Sequence, residues 1–178
     1  MFSLSTIAKL HHITPLPAST TSSSALTKLQ DHDLLIRLDP ELAHYETLPS
    51  EPSAPTTKRY KVTDHMHTLP KGLWDTTVTF ESQITNTETG VAWVVKAPLG
   101  LVQRTTWNVV KRSEVEGEEV VEAQWNHTVE KEGEVKGEWC LVEDVEIDAS
   151  KLLVGTVKSK CEQSWRGIHK KFVECLEA

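Results

Sequence analysis

The sequence predicts one α+β domain spanning residues 1–178, in which a long antiparallel sheet folds around a C-terminal helix and encloses an apolar cavity. Three observations predict it. From Arg59 onward apolar residues recur with a period of two, the mark of half-buried strands. The strands so defined follow one another through tight turns with no helix between them, which implies an antiparallel meander of about seven strands. From Val154 the period changes to three or four, and the apolar stripe then holds for about six turns.

Each element follows in order. Phe2 to Ile13 alternates loosely and stops at Thr14-Pro15-Leu16-Pro17, a first strand ended by prolines. Ser22 to Ser24 offer an N-cap, and Ala25, Leu26, Leu29 and Ile36 recur at near-helical spacing until Asp39-Pro40 breaks the element. Leu42 to Leu48 reads as a short strand, and the stretch from Pro49 to Thr57 as a Pro- and Ser-rich loop. Tyr60, Val62 and Met66 share one face of the next strand, with Asp64 among them, and Val78, Phe80 and Ile84 share a face of the one after.

Asn86 to Gly90 makes a hairpin into a strand from Val91 to Ala97. Pro98-Leu99-Gly100 predicts a bulge or bend in an edge-accessible strand, which continues from Leu101 to Lys111. Glu114 to Gly117 reads as a hairpin turn, after which Val121, Ala123, Trp125, His127 and Val129 alternate as a strand. A charged turn from Glu130 to Gly137 leads into the last strand, Trp139 to Ile147. Val154, Val157, Cys161, Trp165, Ile168, Phe172 and Leu176 then form the apolar stripe of a helix of about 25 residues, roughly 37 Å long.

A twisted meander of long strands curls and so has a concave face. One helix can plug that curl without filling its width. Aromatic side chains must line the remainder, and where they leave space a pocket for an apolar molecule remains.

Composition narrows the partners. Hydrophobic residues make up 38% and charged residues 25%, ordinary for a globular chain. The formal charge is −7, and Glu114 to Glu146 holds twelve acids against Lys131 and Lys136 alone. That excess repels phosphates, which argues against nucleic acid or an anionic membrane as partner, and it also suits two solvated hairpins. Cys140, Cys161 and Cys175 lack any short metal-ligand spacing and are expected to be reduced. The first residues lack the basic and long apolar regions of a signal peptide, and no stretch approaches a membrane span, so a cytosolic setting is expected. The Asn126-His127-Thr128 acceptor motif is then expected to be idle. Whether the chain is a monomer or a homodimer stays open.

Ile13-Thr14-Pro15-Leu16-Pro17, Leu29-Gln30-Asp31 and Arg37-Leu38-Asp39-Pro40 resemble a recurring pattern of the START-like, or helix-grip, superfamily: a strand ending in proline, a helix with Leu-x-Asp, and a turn ending in Pro. The order strand, helix, meander and long C-terminal helix is similar to that superfamily over nearly the whole chain. The closing run Ile168 to Leu176 resembles a fungal branch of it. The superfamily includes pollen-allergen-like proteins, lipid-transfer domains and aromatic polyketide cyclases, so the resemblance implies an internal ligand site and leaves the activity open.

No G-x-S-x-G, Gly-rich phosphate loop or H-E-x-x-H motif occurs, and no cofactor is expected. His11 and His12 point to opposite faces of a strand and cannot grip one metal ion together. His65 and His67 share a face with Arg59, Lys61 and Thr63, which reads as the solvent side. More informative are polar residues that interrupt apolar faces: Asp64 between Val62 and Met66, His127 between Trp125 and Val129, and Glu143 between Leu141 and Val145. Burial would raise a carboxyl pKa and lower that of a histidine, bringing both toward useful acid–base values. Each group could equally bond a backbone amide or lie at a strand end.

Tyr60 is a candidate donor to a substrate carbonyl. Trp93, Trp107, Trp125 and Trp165, with Phe80, are candidates to line the ligand space, a role that large aromatics share with plain core packing. Two functions fit. One is a cofactor-independent cyclase or isomerase, pericyclic closure included, acting on an apolar polyketide or terpenoid of secondary metabolism. The other is a non-catalytic carrier of a lipid, sterol or similar ligand. Ionisable groups on apolar faces favour the first, since a carrier has less reason to bear their burial. A scaffold with a collapsed cavity is a third possibility.

Overall fold

A computed structural model describes residues 5–66, 76–115 and 137–178. The chain opens with strand β1 (Ser5–Pro15), then helices α1 (Ser22–Leu29) and α2 (His32–Arg37). Strands β2 (Leu42–Leu48), β3 (Thr57–Met66), β4 (Thr76–Asn86), β5 (Gly90–Lys96) and β6 (Val102–Lys111) follow. The short helix α3 (Arg112–Val115), strand β7 (Trp139–Ser150) and the long helix α4 (Lys151–Glu177) complete it. The seven strands among the described residues join one antiparallel sheet in the order β1-β7-β6-β5-β4-β3-β2. The fold is α+β, a curved sheet wrapped around a long C-terminal helix with short helices after the first strand.

The connection through α1 and α2 carries the chain from one edge of the sheet to the other, and the meander then returns. Alternation fixes the inner face. Tyr60, Val62, Ile84, Val91, Trp107, Val109 and Leu141 pack there against Leu29, Leu35, Ile36 and the fully buried Phe172 of α4. Nearer the start of α4, Val145, Ile147 and Ala149 meet Val154, with Val157 and Cys161 beside them. The apolar stripe read from the helix is therefore the stripe that grips the sheet.

Several boundaries differ from the sequence reading. The element expected to run from Ser22 through Ile36 is two helices, because Asp31 turns outward at the break and caps α2, accepting from Leu34 N at 3.1 Å. The cap of α1 is Thr21, one residue earlier than read, and Thr21 and Ser24 satisfy each other's backbone amides. Pro98-Leu99-Gly100 forms the turn of the β5–β6 hairpin, between two interior strands, so it is not a bend on an edge strand. Leu99 and Gly100 both take left-handed backbone there, at φ 63° and 75°. Gly90 is required by a different constraint: a Cβ at this position would stand 1.7 Å from the carbonyl oxygen of Trp107.

The turn expected at Glu114 is a helical one, and it lays Val115 over Ile13, Cys140 and Val142 on the convex face. Strands β6 and β7 pair directly, from Val102 opposite Asp148 to Lys111 opposite Trp139. The strand expected from Val121 to Val129, with Trp125 and His127, lies outside the described residues, as does His67. The last strand runs three residues beyond Ile147 before Ser150 opens α4.

Candidate functional site

Two polar groups interrupt the inner face, and they have opposite character. The first is Glu143 on β7. Its register partner His12 on β1 donates from Nδ1 to Oε2 at 2.7 Å, and Trp107 on β6 donates from Nε1 to Oε1 at 2.8 Å. His169 of α4 brings Nε2 to 3.3 Å from Oε2, an attractive approach whose angle misses a hydrogen bond. The other nitrogen of His169, Nδ1, is bonded to the Thr14 hydroxyl at 2.7 Å. The His12 ring stacks flat on Trp165, centroids 4.4 Å apart, and His169 stands edge-on to both Trp165 and Trp107.

Burial alone would raise the Glu143 carboxyl, as the sequence reading expects. The hydrogen bond from His12 and the nearness of His169 outweigh that, and the carboxyl falls to about 2. This corrects the expectation: Glu143 is a fixed anion with three partners, suited to tying β1, β6, β7 and α4 together and unsuited to releasing and taking protons near neutrality. Trp107 and Trp165, expected to line a ligand space, are spent on the same cluster and are 4% and 8% exposed.

The sequence reading missed His12 and His169, which are 4% and 1% exposed. A signal for His169 existed, since it stands four residues after Trp165 and three before Phe172, on the apolar stripe. For His12 the signal was its alternation with Leu10 and Thr14. His11, on the opposite face, pairs with Asp144 at 2.6 Å, so the two histidines do diverge as read. His65 is exposed, as read.

The second group is Asp64 on β3, 7% exposed, with its Oδ1 buried and without a hydrogen-bond partner. Burial raises its carboxyl to about 7, Asp39 and Glu41 add to the rise by repulsion, and Lys160 of α4 opposes it. Local chain geometry brings these acids together. Leu42 is the register partner of Asp64, so the Asp39-Pro40-Glu41 turn just before β2 lands beside it. Glu41 O accepts from His65 N at 2.7 Å, and Asp39 Oδ1 accepts from Glu41 N at 2.8 Å.

Asp64 and Glu143 do not form a pair. They stand four strands apart in the sheet order, roughly 19 Å along the sheet at about 4.8 Å per strand, and face each other only through its curl. Between β3 and α4 the inward side chains Val78, Phe80, Trp93, Val95, Gln103 and Cys161 are half-buried. Phe80 and Trp93, expected as ligand-lining residues, are partly buried and pack against the core, with Trp93 Nε1 donating to the Ser82 hydroxyl. Burial, and then the Glu143 charge, push the Cys161 thiol up to about 11, so it stays protonated and acts as a small apolar group.

Tyr60 points inward, but its hydroxyl is engaged. His32 at the start of α2 donates from Nε2 to Asn86 Oδ1 at 2.7 Å, which leaves Nδ1 to accept from Tyr60 at 2.8 Å. Trp125 and His127 lie outside the described residues. Two depressions of about 400 and 300 Å³ open on the convex side of the sheet, among Lys61, Glu81 and Lys96 and among Lys9, Arg104 and Glu146. Salt-bridging side chains share the lining with Leu48, Phe80, Ala97 and Pro98 in the larger and with Leu10 and Val145 in the smaller. Among the described residues, no group of three or more His, Cys, Asp or Glu side chains is placed to hold a metal ion, and no helix is long and apolar enough to cross a membrane.

Residues 5–178 match the family described as "Domain of unknown function (DUF7053)". No curated protein matches the chain. Among solved structures, the ZhuI aromatase/cyclase from Streptomyces sp. R1128 is similar with a TM-score of 0.60 at 8% identity, over 97% of this chain and 94% of that one. Truncated norcoclaurine synthase from Thalictrum flavum gives 0.58 at 11% identity, over 97% and 94%. Ara h 8.0201 gives 0.54 at 13% identity, over 97% of each chain. At such identities the likeness establishes the helix-grip, START-like fold and nothing finer. The match over residues 5–178 places the chain in the DUF7053 family.

Proposed function

We propose that this member of the DUF7053 family binds a small apolar molecule between the concave sheet face and α4 and acts on it as a cofactor-independent cyclase or isomerase. Asp64 is the group that moves the proton. The observation that carries this reading is the Asp64 carboxyl, turned inward, buried, with an oxygen lacking any partner, and titrating near 7. A group whose two protonation states are nearly equal in energy at working pH is suited to general acid–base catalysis. Phe80 and Trp93 would hold the apolar body of the substrate beside it. His127, which the sequence places on an apolar face with Trp125, is proposed as a second proton-transfer group. The cytosol is the proposed setting, and secondary metabolism the proposed context.

That two structures of this fold are named an aromatase/cyclase and a synthase is compatible with such chemistry without assigning it. The carrier reading draws support from Glu143, because the other inward carboxyl is saturated by its partners and leaves one acid–base group where two were expected. Native mass spectrometry of protein purified from its own organism identifies any retained molecule. Incubation of that molecule, or of its biosynthetic precursor, with wild type and Asp64→Asn then separates the readings. Catalysis by Asp64 requires turnover to fall roughly 10²-fold or more in the variant while binding persists. Equal conversion by both proteins excludes Asp64 as the proton-transfer group, and no conversion by wild type leaves the carrier.

A further inference from the structure

The charges around Asp64 select the kind of ligand. Asp39 and Glu41, both half-buried, flank it from the turn before β2, held there by the Glu41 O to His65 N bond and the Leu42–Asp64 pairing. Of the cationic side chains of β3 itself, Lys58 is exposed, Lys61 is bonded outward to Glu46 at 3.0 Å, and Arg59 is bonded to Glu81 at 3.0 Å. From α4 the facing groups are Lys160, which is exposed, and the protonated Cys161 thiol. The corner is therefore acidic at its buried end, with one solvated ammonium at its rim. The buried end also presents an acceptor oxygen with no donor to fill it.

From this geometry we infer that the ligand carries a basic nitrogen and presents it as an ammonium group to Asp64, with Asp39 and Glu41 supplying the surrounding negative potential. The inference rests on the ligand-binding part of the reading above, not on proton transfer by Asp64, because a bound ammonium holds Asp64 as the carboxylate; it names the polar end of that ligand. An anionic head would meet three carboxyl groups. A neutral carbonyl would find Asp64 a donor only while Asp64 is protonated, and otherwise only the ammonium of Lys160 at the rim. An ammonium group fills the empty acceptor and is attracted by all three. A bare cation is disfavoured, since no three ligating side chains among the described residues converge on one point. Lys160 is the competitor: its ammonium lowers the same carboxyl from outside.

Three probes sharing one body test this: 2-(naphthalen-1-yl)ethylamine, the matching alcohol, and naphthalen-1-ylacetate. Their affinities are measured by calorimetry on the full chain between pH 5.5 and 8.5. The amine should bind at least tenfold more tightly than the alcohol at pH 8, and the acetate most weakly. The amine preference should grow as pH rises through about 7, because Asp64 must release its proton to pair with the ammonium. Asp64→Asn should abolish the preference, and Lys160→Gln should widen it. Saturable alcohol binding with no amine preference overturns the inference and leaves the cavity reading standing. A preference that survives in Asp64→Asn overturns the assignment of the residue. If none of the three binds saturably, the cavity reading falls and the inference with it.

Discussion

Replacing Glu143 with Gln keeps the shape of the side chain and removes the charge at the centre of the inner cluster. The amide offers one acceptor where the carboxylate offers two, so it cannot accept from both His12 Nδ1 and Trp107 Nε1 on separate oxygens. Its NH2 must face one of those donors or His169. The magnitude follows from the depressed carboxyl: a descent from 4.5 to about 2 is worth about 3 kcal/mol at 1.36 kcal/mol per pH unit. Loss of one partner from a buried charged cluster has a similar scale, about 3–5 kcal/mol. For a chain of this length a loss of about 3 kcal/mol is a fall of about 6–12 °C in Tm.

The sign of the pH dependence is fixed as well. A carboxyl depressed by folding stabilises fully above its unfolded value near 4.5, and that stabilisation is lost as pH falls through about 2. The gap between wild type and Glu143→Gln should therefore be constant from about pH 8 to pH 5 and narrow below that. Thermal melts followed by circular dichroism across that range measure it. A gap under about 2 °C at pH 7, or one that does not narrow in acid, would refute the view that Glu143 is a structural anion.

Two other substitutions probe the rest of the scheme. Asp64→Asn should stabilise the protein at pH 8 by about 2 kcal/mol. This is less than the full rise from 3.8 to about 7 implies, because Asp64 stands two residues from the end of β3 and an exposed lysine screens it. Here the sign is opposite: the carboxyl is raised by folding, so its contribution is present below 3.8 and lost as pH rises through about 7. In urea titrations the variant's advantage should grow between those limits and stay flat above them; a destabilised variant at pH 8 would show that Asp64 holds the fold together. Phe172→Ala removes a fully buried ring from between α4 and the sheet, and should cost about 3–5 kcal/mol. A loss under about 1 kcal/mol would mean that the helix does not grip the sheet as described.

The periodicities of the chain determined the architecture. A period of two from Arg59 and a stripe from Val154 to Leu176 state which side chains must leave water, and burial of apolar surface enforces that choice almost regardless of detail. The strand Leu42–Leu48, the Asn86–Gly90 hairpin and the long helix are legible for this reason, and so is the placing of Asp64 on the apolar face of its strand, whereas the face that turns inward is not. Tertiary structure decided what each inward polar group does.

Asp64 and Glu143 look alike in sequence, each a carboxylate on an apolar strand face. Glu143 becomes a strong anion because β1 supplies His12, β6 supplies Trp107 and α4 supplies His169, partners 131, 36 and 26 residues away in the chain. Asp64 becomes a weak acid because it is buried, and because its neighbours across the Leu42 pairing are two more acids. Tyr60, a candidate donor to a carbonyl in the sequence, is engaged by His32, a residue brought over it by a helix break at Asp31. Periodicity reports the side of an element on which a residue lies. The pKa and the free hydrogen-bonding capacity of a buried group are set within about 4 Å, by residues that only the folded chain brings there.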